Sequence, residues 1–243
     1  MNEIEKFKAE VEENIKGLGN DPKNKQISLD WLLQVSKHKY VYNFTWMGRP
    51  IIQAPQDIVA MQEIIWDVQP DLIIETGIAH GGSIILYASI LELIGKGEVL
   101  GIDLDIRSHN FKEIINHPMY KRITMLEGSS IDSKIAEKVR AFAAGKKKIL
   151  VSLDSNHTHE HVLKELEIYA PLVTVGSYCV VFDTLVDEIP DEYYTDRPWK
   201  KGDNPKSAVR EYLKSHPEYV IDKRIDHKIQ ISAAPDGYLK RIK

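Results

Sequence analysis

Hydrophobic residues along the chain follow two alternating patterns, short apolar runs and longer segments with helical spacing. The short runs have the length of buried strands, and they cover residues 72–74, 99–103, 122–126, 148–154 and 178–183. The longer segments predict helices, which cover residues 57–68, 84–94, 110–116, 132–144 and 158–170. Because strands and helices alternate at this interval, the pattern predicts an α/β fold with a doubly wound, mostly parallel sheet.

The N-terminal part of the chain departs from this alternation. Residues 1–40 have a charged helical pattern, and residues 41–55 form an aromatic stretch that contains prolines. We predict that this stretch is a loop that packs as an N-terminal extension, and it could also act as a lid over a site or as a dimer contact. The sequence therefore predicts an N-terminal helical extension and lid loop over residues 1–55, followed by the main domain over residues 56–243.

The C-terminal part also breaks the pattern. Residues 184–203 are irregular, acidic and aromatic, and this length favours a functional loop that closes over a site. A helix is predicted up to Lys214, with Asn204 and Pro205 at its start. Three further strands are predicted over residues 219–221, 228–233 and 238–241.

Composition and charge narrow the class of protein. The net charge of −4 gives no reason to expect a nucleic-acid partner. Cys179 is the single cysteine, which excludes an internal disulfide and a cysteine-based zinc site. No signal peptide or apolar run of membrane-spanning length is present, so we expect a cytoplasmic protein without a membrane span. A homo-oligomer is compatible with the aromatic loop as a dimer contact.

The first strand leads into a glycine-rich turn. Glu75 ends the strand, and Gly77, Gly81 and Gly82 follow before the next helix. Glycines allow the backbone to approach a ligand closely, and a helix start presents free N–H groups. Asp103 ends the second strand, where an acid accepts hydrogen bonds from ribose hydroxyls. These features predict a nucleotide-type cofactor site, and His80 in the turn is expected to line its pocket.

The spacing of the glycines bears on which cofactor binds. Gly77-x-x-x-Gly81-Gly82 differs from the G-x-G-x-x-G turn of dinucleotide enzymes, which argues against NAD. S-adenosylmethionine has a ribose and an adenine but no pyrophosphate, so it suits the turn and the strand-end acid.

Two further acids follow the fourth and fifth predicted strands. Asp154 and Asp183 should lie close together at the carboxyl ends of neighbouring strands, where they could hold Mg²⁺ with water and substrate oxygens. His157 lies near Asp154 and is a candidate general base for a substrate hydroxyl. Zinc is not expected, because alternating histidines on a loop that enters a helix would diverge.

Four segments of the sequence resemble the cephalosporin hydroxylase family. They cover residues 74–83, 101–107, 153–162 and 234–238, and the resemblance extends from about Tyr42 to the C-terminus. This family is similar to class I S-adenosylmethionine-dependent methyltransferases, with a Rossmann-like sheet and an antiparallel C-terminal strand. It includes sugar O-methyltransferases, such as those acting on rhamnose. The layout resembles, more distantly, the Mg²⁺ enzyme catechol O-methyltransferase.

The resemblance implies roles for individual residues. Glu75, Gly77 and His80 would line the methionine side of the cofactor pocket, Ser129 and Ser130 would border the adenine, and Asp154 would be the first Mg²⁺ ligand. The expected cofactor residues are therefore Glu75, Gly77, His80, Gly81, Ser83, Asp103, Ser129, Ser130 and Asp154. Phe182 departs from the family pattern, because an acid pair is expected where this chain has Phe182 and Asp183.

These observations predict a metal-assisted O-methyltransferase acting on a hydroxyl of a sugar or related small metabolite. Asp154 and His157 are the expected catalytic residues, and Asp154 and Asp183 are the expected metal ligands. S-adenosylmethionine is the expected cofactor, and Mg²⁺ is less firmly expected because Phe182 replaces an acid. A hydroxylase or oxidoreductase, as the family name suggests, and a non-catalytic partner subunit that binds S-adenosylmethionine are the alternatives.

Overall fold

The computed structural model describes residues 2–193 and 196–243. Its helices are α1 Glu3–Asn20, α2 Pro22–Ser36, α3 Pro55–Val68, α4 Gly82–Ile94, α5 Ser108–Ile115, α6 Ser133–Ala143, α7 His159–Tyr169, α8 Pro205–Tyr212 and α9 Lys223–Ile229. Its strands are β1 Phe44–Trp46, β2 Arg49–Ile51, β3 Leu72–Thr76, β4 Glu98–Asp103, β5 Ile123–Glu127, β6 Ile149–Leu153, β7 Tyr178–Val181, β8 Tyr219–Ile221 and β9 Tyr238–Arg241.

Seven strands form the central sheet in the order β5-β4-β3-β6-β7-β9-β8. The pairs from β5 to β7 are all parallel, and β9 runs antiparallel to both of its neighbours. The strand order reverses between β3 and β6, which places a crevice at their carboxyl ends. The expected doubly wound Rossmann-like sheet, with its antiparallel C-terminal strand, is thereby confirmed.

The two faces of the sheet are buried by separate groups of helices. On one face, Ile73, Val99 and Val180 lie in a core with residues of α3 and α4. On the other face, the intervening strand residues pack against α6, α7 and α8. β3 is buried on both faces, so its five residues read as one apolar run ending in two polar residues. Among the described residues, no helix has the length and hydrophobicity needed to cross a bilayer.

The N-terminal segment folds onto the sheet domain. α1 and α2 are separated at Asp21, whose side chain accepts a hydrogen bond from the backbone N–H of Lys23 at 2.9 Å. The stretch predicted as a loop over residues 41–55 contains an antiparallel hairpin instead, formed by β1 and β2. Ile51 at the end of the hairpin is buried in the core. The proposed unit of residues 1–55 ends where α3 begins, and its action as a lid stays a prediction.

One predicted strand is wrong. Residues 228–233 have apolar residues at alternate positions, yet α9 occupies the first part of this stretch and no strand follows it before β9. Asp57 at the start of α3 explains the difference. Its carboxylate accepts hydrogen bonds from the Ser232 hydroxyl at 2.6 Å and from the Ala233 N–H at 2.8 Å. These bonds draw the segment toward α3 and away from a strand partner.

Candidate active site

A sharp turn connects β3 to α4 and forms the first part of the site; we call residues 77–81 the glycine loop. Gly77 and Gly81 have φ values of +91° and +84°, in the left-handed region that favours glycine. A Cβ on Gly77 would overlap the backbone carbonyl of Asp154. The glycine loop therefore lies directly against the chain that leaves β6, and only glycine allows this approach.

Asp103 shapes the glycine loop from β4. Its Oδ2 atom accepts hydrogen bonds from the backbone N–H groups of Ile78 at 2.8 Å and Ala79 at 3.1 Å. Ala79 has a φ of +46°, which is strained for a residue with a side chain. The ribose contact expected of Asp103 stays a prediction, and in the structure its carboxylate holds the turn in this conformation.

Arg49 and Asn110 hold the glycine loop from the other side, and the sequence analysis missed both. Arg49 donates from Nε and Nη2 to the carbonyl oxygen of His80, at 3.0 and 2.7 Å. Asn110 donates to the carbonyl oxygen of Ala79 at 3.0 Å. Arg49 comes from β2, so the hairpin is bound to the glycine loop. No short sequence motif could have revealed these contacts, because Arg49, His80 and Asn110 are about 30 or 60 residues apart in sequence.

Glu75 is fully buried at the end of β3. Its Oε2 accepts a hydrogen bond from the Ser83 hydroxyl at 2.7 Å, whereas Oε1 has no partner among the described residues. Burial, with the charge of Asp103 as a smaller cause, raises the pKa of Glu75 to about 8. The pair of Glu75 and Ser83 thus presents an unsatisfied carboxyl oxygen next to the glycine loop, as expected for a group that meets a cationic ligand.

We expect Glu75→Gln to stabilise the protein at alkaline pH. Because the folded-state pKa of Glu75 lies above its ordinary value of 4.5, folding favours the protonated acid. This contribution is complete below pH 4.5 and is lost as the pH rises through about 8. The difference in free energy of unfolding, variant minus wild type, should therefore increase by at most about 1.4 kcal/mol per pH unit as the pH rises from 5 to 8.

Urea unfolding at pH 5, 6, 7 and 8 measures this difference. Glu160→Gln is the matched control, because Glu160 is exposed and its pKa is lowered by a hydrogen bond from Lys164. If Glu75→Gln and wild type lose stability in parallel as the pH rises, Glu75 is not held as a neutral acid.

Ser129 and Ser130, which were expected to border the adenine, follow β5, and Ser130 has internal partners. Its hydroxyl lies 3.0 Å from Nε2 of His161, and its carbonyl oxygen accepts a hydrogen bond from the Tyr169 hydroxyl at 2.5 Å. Ser129 is partly exposed, and its carbonyl oxygen caps the turn before α6 through the Asp132 N–H. The contacts of Ser130 thus fix the loop after β5, and Ser129 is the more accessible of the two.

Three side chains meet at the carboxyl ends of β6 and β7. Nδ1 of His157 lies 2.6 Å from Oδ2 of Asp183, and Nε2 lies 3.7 Å from Oδ1 of Asp154. One ligand atom from each residue lies within 4.8 Å of the others. The structure therefore brings together the expected metal ligands and the expected base, and it makes His157 a third potential ligand. Among the described residues this is the only such group of three.

The local charges affect both kinds of group in this cluster. Burial and the charge of Asp183 raise the pKa of Asp154 well above its ordinary value. Burial opposes protonation of His157, but the charge and hydrogen bond of Asp183 outweigh it and raise the pKa of the imidazole. The cluster is thus an acid-rich centre in which a cation is favoured.

Residues 196–203, which precede α8, form a wall over this centre. The Trp199 ring lies 4.7 Å from the His157 ring, centroid to centroid. Asp203 holds the segment in place, because its carboxylate accepts a hydrogen bond from the His159 N–H at 2.9 Å. This is part of the stretch predicted to close over a site; Tyr194 and Thr195 lie outside the described residues, and the closing motion stays a prediction.

Comparison with known proteins identifies the family. The family model for rhamnosyl O-methyltransferase/CmcI matches residues 38–242. Rhamnosyl O-methyltransferases of Mycobacterium tuberculosis and Mycobacterium leprae are each 32% identical to this chain, over 218 and 213 residues. The alignments cover 84% of this chain and 83% and 88% of the two relatives.

The chain belongs to the rhamnosyl O-methyltransferase/CmcI family. This confirms the resemblance found in the sequence and favours methyl transfer over the hydroxylase alternative. A solved structure of CmcI with Mg and SAM superposes with a TM-score of 0.57 at 18% identity, covering 83% of this chain and 78% of that one. At that identity, the comparison shows a shared methyltransferase fold.

Phe182 lies where the sequence resemblance implied an acid. Its side chain is 2% exposed and packs in the core with Val180 and Tyr238. A glutamate at this position would bring a carboxylate into an apolar core, so Phe182→Glu is a poor test of metal binding.

Proposed function

We propose that the chain transfers a methyl group from S-adenosylmethionine to a hydroxyl of a sugar or related small metabolite. The observation that carries the proposal is the position of Asp154, His157 and Asp183 beside the glycine loop. The N–H of Asp154 donates to the carbonyl oxygen of Thr76 at 2.9 Å, so the two parts of the site adjoin. The rhamnosyl relatives support a sugar hydroxyl as the acceptor.

The residues around the glycine loop fit S-adenosylmethionine. The unpartnered Oε1 of Glu75 is a suitable acceptor for the ammonium group of the amino-acid end. Asp103 accepts hydrogen bonds from the backbone N–H groups of Ile78 and Ala79 at Oδ2 and of Asp105 at Oδ1, which leaves acceptor capacity on Oδ1 for a ribose hydroxyl. When bound, this cofactor supplies an electrophilic methyl group on a sulfonium centre.

The three-residue centre fits a divalent cation such as Mg²⁺. The two carboxylates offer oxygen donors, and Mg²⁺ usually keeps several waters besides its protein ligands. Burial and the charge of Asp183 raise the pKa of Asp154, and a cation would offset the repulsion between the two carboxylates. A cation there would lower the pKa of an acceptor hydroxyl and help to orient it.

His157 is the proposed base. Asp183 accepts the Nδ1–H of His157, which leaves Nε2 as the atom that takes the proton of the acceptor hydroxyl. Asp154 faces the same nitrogen and orients the hydroxyl, and Trp199 covers the imidazole and limits access of water. Much of the rate should come from this positioning of the hydroxyl against the methyl group.

Methyl transfer to rhamnose-containing glycosides and other sugars, followed with methyl-labelled S-adenosylmethionine, tests the proposal. We expect transfer by the untreated protein, loss of transfer after chelation, and recovery on addition of Mg²⁺. Asp154→Asn should need a higher Mg²⁺ concentration for half-maximal rate, because one ligand loses its charge.

Asp67→Asn is the control, since Asp67 is exposed on α3 and remote from the three donors. Binding of S-adenosylmethionine without transfer to any hydroxyl acceptor would support the non-catalytic alternative. Full activity after chelation would exclude the metal and leave His157 as a metal-free base.

A further inference from the structure

Gln53 is a buried polar side chain that the interior of the protein does not satisfy. It is 2% exposed, and among the described residues neither Nε2 nor Oε1 of its amide has a hydrogen-bond partner. Burying an amide without hydrogen bonds is unfavourable, and such groups in native proteins call for a ligand or water. Gln53 thus has both a donor and an acceptor to offer to a bound molecule.

The backbone before Gln53 packs against the start of α4. A Cβ on Gly82 would overlap the backbone of Pro50 and Ile51, so β2 and the helix start are in direct contact. Arg49 from the same strand binds the carbonyl oxygen of His80. This segment is therefore anchored beside the glycine loop, and Gln53 follows it by only two residues.

Tyr87 connects Gln53 with Glu75. Tyr87 follows Ser83 by four residues on α4, so the two side chains share one face of the helix. Its hydroxyl lies 3.4 Å from the Ser152 hydroxyl on β6. Burial and the charge of Glu75 raise the pKa of Tyr87, whereas the nearby side chains of Ser152 and Gln53 oppose this rise. Gln53 and Glu75 thus face the same phenol hydroxyl.

We infer that Gln53 binds the amino-acid end of S-adenosylmethionine together with Glu75. This inference rests on the proposed function and adds a contact that the sequence motifs do not contain. The amino-acid end carries an ammonium group and a carboxylate. The free Oε1 of Glu75 accepts from the ammonium, the Nε2 of Gln53 donates to the carboxylate, and its Oε1 accepts a further ammonium hydrogen.

Truncated ligands separate this role from a general effect on the pocket. S-adenosylhomocysteine has the amino-acid end, whereas 5′-methylthioadenosine lacks it and keeps the adenine and ribose. We expect Gln53→Met to lower the affinity for S-adenosylhomocysteine roughly tenfold or more, because hydrogen bonds to charged groups are lost. The affinity for 5′-methylthioadenosine should not change. Calorimetry with each ligand measures the two affinities.

The same variant gives a second readout without any ligand. Because Gln53→Met removes two unpartnered polar atoms from a buried position, the unliganded variant should unfold at the same or a higher urea concentration. Gln62→Met, on the exposed side of α3, is the matched control and should change neither affinity. If Gln53→Met does not fold, Gln53→Asn is the second variant, because it keeps the amide on a side chain that is one methylene shorter. It should lower the affinity for S-adenosylhomocysteine but not that for 5′-methylthioadenosine.

Two results would overturn the inference. Equal losses for both ligands would show a general change in the pocket, and no loss for either would show that Gln53 contacts no part of the cofactor. These results differ from failure of the proposed function, in which wild type itself binds neither S-adenosylmethionine nor S-adenosylhomocysteine.

Discussion

His157→Ala should lower kcat for methyl transfer by roughly 10²- to 10⁴-fold, the range of a general base. The imidazole is held by Asp183 at Nδ1 and faces Asp154 through Nε2. Its loss therefore removes the group that takes the proton of the acceptor hydroxyl. Affinity for S-adenosylmethionine should change little, because Glu75 and the glycine loop remain. Initial rates at saturating cofactor, with calorimetry of cofactor binding, separate the two effects.

His159→Gln is the control for this prediction. His159 lies two residues away, but its ring contacts Ser207 and Glu211 on α8 instead of the acid cluster. It should retain most of the wild-type rate. Wild-type kcat in His157→Ala would contradict the assignment of the base, and restoration of its rate by excess Mg²⁺ would point to metal binding as the main role of His157.

Gly77→Ala should remove both cofactor binding and methyl transfer. A side chain there must adopt a φ of +91° and overlaps the backbone of Asp154, so the glycine loop or the end of β6 has to move. Displacing the donor or the acceptor by about 1 Å is enough to lower the rate roughly 10²-fold. Calorimetry with S-adenosylmethionine and a methyl-transfer assay measure the two losses.

Gly176→Ala isolates the cost of the backbone conformation. Gly176 has a φ of +84°, and nothing lies within 4 Å of the Cβ that the substitution would add. This control should lose only about 1–2 kcal/mol of stability and keep its activity. Similar activity losses in the two variants would mean that left-handed strain, and not the contact with Asp154, explains the need for Gly77.

The sequence predicted the sheet well because each central strand is buried on both faces. Apolar runs such as 72–74 and 149–151 have few alternatives to a buried strand, and strand-end acids follow them directly. Parallel strands place those acids at one edge, so the proximity of Asp154 and Asp183 followed from topology. The strands and the acids at their ends could be predicted because both depend on local sequence patterns that repeat along the chain.

The features that the sequence did not reveal depend on distant partners. Arg49 looks like one residue of an aromatic loop until the fold brings it to His80, 31 positions away. Gln53 has no distinguishing neighbours in sequence, and only its burial reveals it. The predicted strand over residues 228–233 failed for the same reason, since Asp57 lies 175 residues from Ser232.

The hydrogen bond from the Asp154 N–H to the Thr76 carbonyl oxygen bears on how the choice of acceptor can change among related proteins. The proposed donor and acceptor sites follow adjacent strands, so we expect the register between β3 and β6 to set the distance between them. The wall that contains Trp199 belongs to a connection outside that ladder. Exchange of residues 184–203 between relatives should therefore alter which alcohol is methylated and leave the methyl-transfer step unchanged. This connection is thus the natural place to engineer acceptor choice.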